Sequence, residues 1–139
     1  VRSLVGSEMC IRDRNNGETL LKLIEKNYIK SAHDVSLGGI ITALSKMCIK
    51  GNKGINLNKP KFLISTIEYF FSEDQGRYII EINPTDLKEV VKILEKNAVH
   101  FDELGIIEEK YMTINEKTKV TIDELKTYNT NWLNNYMNS

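Results

Sequence analysis

With 139 residues, 41% of them hydrophobic, the chain has material for one domain around a single core and too little for two ordinary ones. Its 19 basic and 19 acidic residues balance, which argues against a broad basic surface and a nucleic-acid partner, and 8 Gly with 2 Pro are too few for a disordered or low-complexity chain. No apolar run approaches the roughly 20 residues that span a bilayer and nothing reads as a secretory signal, so no membrane partner is expected and the expected location is cytoplasmic.

The opening stretch, VRSLVGSEMCIRDR, differs from the rest of the chain. Three of the chain's four arginines (Arg2, Arg12, Arg14) lie in it, whereas the remainder is written in Lys, Asn and Ile. Leu4 to Asp13 also resembles a translated transposase adapter of the kind used to prepare sequencing libraries. Residues 1–14 are therefore expected to be a non-native leader and residues 15–139 the domain, the alternative being a short amphipathic arm. On that division Cys48 is the single native cysteine. It is expected to be a small core residue, and a disulfide framework is excluded. The gene is expected to begin upstream, with this chain as the end of a longer protein.

In GETLLKLIEKNY, Leu20, Leu21, Ile24 and Tyr28 recur at helical spacing, and Asn27 can end the helix. The extended piece IKSAHDV leads into a Gly turn. From there Leu37, Ile40, Ile41, Leu44, Met47 and Cys48 form a stripe that buries one helix face, stopped by KGNKG. INLNKPKF contains Pro60 and reads as an edge strand or extended connection. LISTIEYFF reads as a short helix ending near SEDQG, and RYIIEI as a strand. In NPTDLKEVVKILEKNA, Asn83 can cap, Pro84 suits the first helical position, and Leu87, Val90, Val91, Leu94 and Ala98 form the buried stripe. HFDELGIIEE, YMTI and KVTI read as short strands, with NEKT as the turn between the last two. Thr121 with Glu124 makes a capping box for a final helix, in which Leu125, Tyr128, Trp132 and Tyr136 share a face expected to be core. The sum is an α+β domain, a mixed β-sheet packed with α-helices.

Two polar clusters carry chemistry. The turn HDVSLGG sets His33, Asp34 and Ser36 before the pair Gly38 and Gly39 at a helix start, where free N–H groups favour an anion and glycines admit it close to the backbone. As a ligand loop, Ser36 would cap the helix or bond a ligand oxygen, Asp34 would hold a metal or an amine, and His33 would donate to a phosphate or act as acid or base. As a plain strand-to-helix turn, His33 would be half-buried and satisfied. The stretch has neither the Lys of a phosphate loop nor a dinucleotide fingerprint, so both readings stand. In the second cluster, SEDQGR, Arg77 is the one arginine outside the leader, which points to planar, bidentate bonding. Glu73, Asp74 or Glu81 is its partner on the structural reading, a substrate phosphate on the functional one. His33, His100 and Cys48 lack ligand spacing, and no metal site is expected.

SAHDVSLGGIITALSKM, followed by YFFSEDQGRYIIEI and then DELGII, resembles the C-terminal (PurM-like) domain of the ATP-dependent synthetases that include aminoimidazole ribonucleotide synthetase. Within them it is most similar to the last domain of phosphoribosylformylglycinamidine synthase in its small-subunit bacterial form, from about Asn15 to the final helix. The resemblance implies a carbon–nitrogen ligase of purine synthesis: formylglycinamide ribonucleotide, ATP and glutamine-derived ammonia give the amidine, ADP and phosphate. It implies ATP and Mg²⁺ as cofactors, held mainly by preceding domains of the same synthase, and a glutaminase subunit and a small accessory subunit as partners. This domain alone would be inactive, with no catalytic residue of its own. Carried over by position, His33, Asp34, Ser36, Gly38 and Gly39 are cleft-wall residues, with Glu73, Gln75 and Arg77 as a weaker second set. Members commonly have an acid where Leu37 stands, which removes a water or metal contact at the helix start. The other readings are a noncatalytic, nucleotide-stabilised scaffold of the same fold and the equivalent domain of a related synthetase or kinase.

Overall fold

The computed structural model describes residues 2–6, 10–58, 65–74 and 76–138, with side chains described from residue 14 on. In chain order the elements are β1 (Arg2–Gly6), α1 (Cys10–Glu25), β2 (Ile29–Asp34), α2 (Gly39–Gly51), β3 (Gly54–Leu57), α3 (Thr66–Phe71), β4 (Tyr78–Ile82), α4 (Leu87–Lys96), β5 (Asp102–Glu108), β6 (Tyr111–Ile114), β7 (Thr118–Thr121) and α5 (Ile122–Met137). The strands form one seven-stranded sheet in the order β2-β4-β1-β5-β3-β6-β7. It is mixed: β3 and β6 run parallel, the other neighbours antiparallel.

Strand β4 shows why the sheet is covered on both sides. Successive side chains point to opposite faces, and YIIEI puts isoleucine on both: Ile79, beside Glu81, on one and Ile80 with Ile82 on the other. Ile79 joins a core with Val35, from the turn after β2, and with Ile40, Leu44, Tyr69 and Phe70, which α2 and α3 bring to one face. Ile80 and Ile82 join a second core with Leu23, Val90 and Leu94, brought by α1 and α4 to the other. The domain is thus the expected α+β arrangement, and Cys48 lies in the first core, 6% exposed.

Several elements sit differently from their sequence pattern. In α1 the buried residues are Asn16, Thr19 and Leu23, while Leu21 (60% exposed) and Ile24 (45%) face solvent. Polar ties turn the helix this way: Asn16 Nδ2 donates to the Gly76 carbonyl at 3.1 Å and Asn15 Nδ2 to the Asn97 carbonyl. Asn27 does end the helix, at φ 58°. Strand β3 is interior, between β5 and β6, because it ends at Leu57; Pro60 lies outside the described residues. Helix α4 starts at Leu87 rather than Pro84, since residues 83–86 form a turn in which the Asp86 N–H reaches the Asn83 carbonyl at 3.1 Å. Ala98 lies past that helix, exposed and at φ 52°. Leu37 precedes α2 and is 80% exposed, so the buried stripe begins at Ile40. In α5 only the first turn is packed: Tyr128, Trp132 and Tyr136 are 76%, 62% and 73% exposed, contrary to the core reading of that face.

Candidate functional site

The pairing of β2 with β4 brings the two polar clusters together. Their antiparallel register sets His33 opposite Ile79 and Asp34 opposite Tyr78. The residues just beyond the ladder continue it: the Val35 N–H donates to the Arg77 carbonyl at 2.8 Å. Asp34, Val35, Ser36 and Leu37 from the turn then face Glu73, Gly76, Arg77 and Tyr78 across a cavity of about 380 Å³.

The glycine pair has a geometric cause. Gly38 and Gly39 adopt φ 82° and 69°, the left-handed region that favours glycine. A Cβ on Gly38 would lie 2.2 Å from Thr42 Oγ1, and one on Gly39 would lie 2.7 Å from the Phe70 carbonyl oxygen. The turn therefore lets the end of α3 lie directly against the start of α2.

Glu73 fills the helix start. Its Oε1 accepts from the Gly38 N–H at 2.7 Å, and the Gly39 N–H donates to the Ser36 carbonyl at 3.0 Å. The negative carboxylate suits the partial positive charge of a helix N-terminus, so a ligand phosphate would have to displace it. Ser36 does not cap: the N-cap residue is Gly38, which has no side chain to cap with.

Arg77 is anchored beneath. It is 5% exposed, its Nη1 donates to Ser72 Oγ at 2.9 Å and Asp74 Oδ2 at 3.3 Å, and its Cζ lies 5.9 Å from the centre of the Tyr69 ring. Of the carboxylates named for it, Asp74 is the partner found here, while Glu81 accepts from Ser31 Oγ instead. Its Nε and the Tyr69 hydroxyl are buried without a hydrogen-bond partner. Burial raises the Tyr69 pKa, Asp102 adds to the rise and Arg77 opposes it. Sequence reasoning missed Tyr69, because only the chain's return from α3 to β4 sets the phenol ring against the guanidinium, and it placed Ser72 in the Arg77 cluster without giving it a role.

The remaining predicted site residues separate. Asp34 has a 67% exposed side chain on the cavity wall and Ser36 is exposed beside it. His33, one position earlier in the strand, points to the other side: it is 27% exposed, its Nδ1 lies against the Asp34 carbonyl and 3.3 Å from Asp34 Oδ1, and it lines a separate cavity of about 500 Å³ with Lys30, Met47 and Glu81. Gln75 lies outside the described residues. Among the described residues no group of three or more His, Cys, Asp or Glu is arranged to hold a metal ion. The donor set here, with its helix start already filled and its arginine committed, does not fit Mg²⁺ or a nucleotide phosphate unaided.

The family model described as AIR synthase related protein, C-terminal domain, matches residues 8–115. The phosphoribosylformylglycinamidine synthase subunit PurL of Pelagibacter ubique (strain HTCC1062) is 65% identical over 125 residues, which cover 90% of this chain and 17% of that protein. The same-named subunit of Bartonella bacilliformis is 31% identical, again over 90% of this chain and 17% of its own length. The chain thus spans about a sixth of the curated relatives it matches. Among solved structures, that of PurLQS from Thermotoga maritima superposes with a TM-score of 0.77 at 19% identity, over 90% of this chain and 25% of that one. A hydrogenase maturation protein HypE in complex with ATP superposes with a TM-score of 0.63 at 11% identity, over 87% of this chain and 49% of that one.

Proposed function

Because the chain belongs to the AIR synthase related protein, C-terminal domain, family, we propose that it is the last domain of a phosphoribosylformylglycinamidine synthase and forms one wall of that enzyme's reaction cleft. The observation that carries the reading is the meeting of the turn with Glu73, Gly76 and Arg77 at one cavity, in a chain 65% identical to a subunit of that name. The reaction belongs to the whole protein: the amide oxygen of formylglycinamide ribonucleotide is activated by ATP and displaced by ammonia, so the central task is stabilising phosphate charge. Solved structures of Thermotoga maritima PurL carry ATP in one case and FGAR in another, which supports the same ligands for the full-length protein here. ATP supplies the activating phosphoryl group. Mg²⁺ and most nucleotide contacts fall to parts of the polypeptide outside this chain, and the glutaminase and small accessory subunits complete a cytoplasmic complex.

Within this domain the roles divide by what each residue bonds. Asp34 and Ser36, exposed on the wall, are placed to meet ligand; Gly38 and Gly39, the buried Arg77, and Glu73, exposed but bonded to the Gly38 N–H, hold the wall in shape. Asp34→Asn in the full-length synthase is expected to lower turnover of formylglycinamide ribonucleotide with little change in melting temperature. Unchanged turnover with a lower melting temperature would favour the second reading, a noncatalytic scaffold. That reading has its own support, since Glu73 already occupies the start of α2.

The same proposal takes residues 1–14 as adapter-derived, although the backbone of β1, inside that segment, pairs with β4 and β5. Resequencing the source DNA upstream of the Asn15 codon with adapter-free primers tests it. A frame continuing into Asp- and Gly-rich nucleotide-binding motifs is the expected result, and a genomic leader with a start beside Val1 would overturn it.

A further inference from the structure

We propose that the outer half of α5 is a docking face for another domain of the same polypeptide. The helix begins in the core, with Ile122 4% exposed and Leu125 packed against the same cluster. Past Leu125 that face continues into solvent as Tyr128 (76% exposed) and Trp132 (62%), flanked by Leu133 (49%) and Met137 (73%). From Thr127 to Ser139 there is no charged residue, in a chain that is 27% charged. A helix that stays in water carries charge on its outward side, whereas aromatic and Met side chains with charge depleted make up the buried centre of interfaces.

The length of polypeptide outside this domain decides the occupant. At these exposures Tyr128, Trp132, Leu133 and Met137 offer roughly 500 Å², given the size of aromatic side chains, and Tyr136, 73% exposed, extends the face. A face of that size suits an interface between domains of one chain, on the order of 600–1,500 Å². A second copy, which would bury about 800 Å² on each partner, differs from it in its dependence on concentration. The relatives provide the covering mass, since this chain spans 17% of the Pelagibacter ubique subunit. The inference rests on the reading of the chain as one domain of a longer synthase.

Hydroxyl-radical footprinting of the full-length protein tests it, with Tyr69 (4% exposed) and Met112 (3%) as buried references within the domain. Tyr128, Trp132 and Met137 are expected to lose reactivity relative to a free peptide of residues 122–138 and to react as slowly as those references, at every protein concentration. Trp132→Asp is expected to restore reactivity at Tyr128 and Met137 while Tyr69 and Met112 stay protected, which separates undocking from unfolding. Reactivity equal to that of the peptide would overturn the proposal, as would protection that disappears on dilution to monomer, the mark of a second copy. Turnover in the same preparation keeps the two ideas apart: a reactive α5 in an active synthase sinks the docking face alone, and a protected α5 in a protein without ligase activity sinks the functional reading alone.

Discussion

At Gly39, φ 69° and the 2.7 Å that would separate an added Cβ from the Phe70 carbonyl oxygen act together. A left-handed L-residue costs about 1–2 kcal/mol by itself, and the contact is with backbone, which yields less readily than a side-chain tip. Gly39→Ala is therefore expected to destabilise the chain by at least about 2 kcal/mol, read as a lower urea midpoint; an unchanged midpoint would show that α3 can move away. Cys48 behaves differently because its constraint is dielectric. Burial raises its thiol pKa to about 11 from 9.0, so the folded chain holds the proton more tightly than the unfolded chain does. The stability this represents is complete below pH 9 and is lost as pH rises towards 11, roughly 2–3 kcal/mol in all. The melting-temperature advantage of the parent over Cys48→Ala is expected to shrink across that interval. Both residues had readable signals, the Gly pair before a helix and Cys48 on an apolar stripe. Arg77 was singled out by composition, and Ser72 lies in the same SEDQGR cluster, but the placing of its guanidinium 5.9 Å from the Tyr69 ring centre depends on the chain's return from α3, which no local pattern shows.

Helix starts are the most local of the elements and followed their sequence closely. Thr121 Oγ1 accepts from the Glu124 N–H at 3.1 Å, and Glu124 Oε2 accepts from the Thr121 N–H at 2.8 Å and the Thr121 hydroxyl at 2.7 Å; the two bonds to the carboxylate lower the Glu124 pKa. Thr121→Ala is expected to cost about 1 kcal/mol. The loss should appear in denaturant melts followed by helical circular dichroism, and an unaltered melt would mean that packing of Ile122 and Leu125 alone holds the helix start. Which face a helix turns inward was less legible. In α1, Leu21 and Ile24 lost to Asn16 and Thr19: Asn16 gains a hydrogen bond to the Gly76 carbonyl, and Thr19 is carried inward on the same face with its hydroxyl unpaired. In α5 the aromatic spacing was read as one core face, yet Tyr128, Trp132 and Tyr136 stay largely exposed among the described residues.

Across the whole molecule, the sheet order is the least local feature. β1 lies between β4 and β5 and hydrogen-bonds both. A chain beginning at Asn15 would leave two facing strand edges unpaired in the middle of the sheet, a template for association with other chains. Such a chain is expected to aggregate or bind a hydrophobic dye more strongly than the 139-residue form. A clean monomer with unchanged melting would show that β4 and β5 close the gap. The same scale governs the candidate site, since β2 and β4 are far apart in sequence and only their pairing joins Asp34 and Ser36 to Glu73 and Arg77.

The sequence by itself determined the alternation of helices and strands, the cap at Thr121, the Gly turn and the membership in its family, because each rests on spacing within a few residues or on motifs preserved in order. Only the tertiary structure decided that β3 is interior, that Leu37 and the outer half of α5 face solvent, that His33 and Asp34 line different cavities, and that Glu73 fills the start of α2. These outcomes depend on which distant segment arrives at each face, and burial and hydrogen bonding there are settled by the partner rather than by the local pattern.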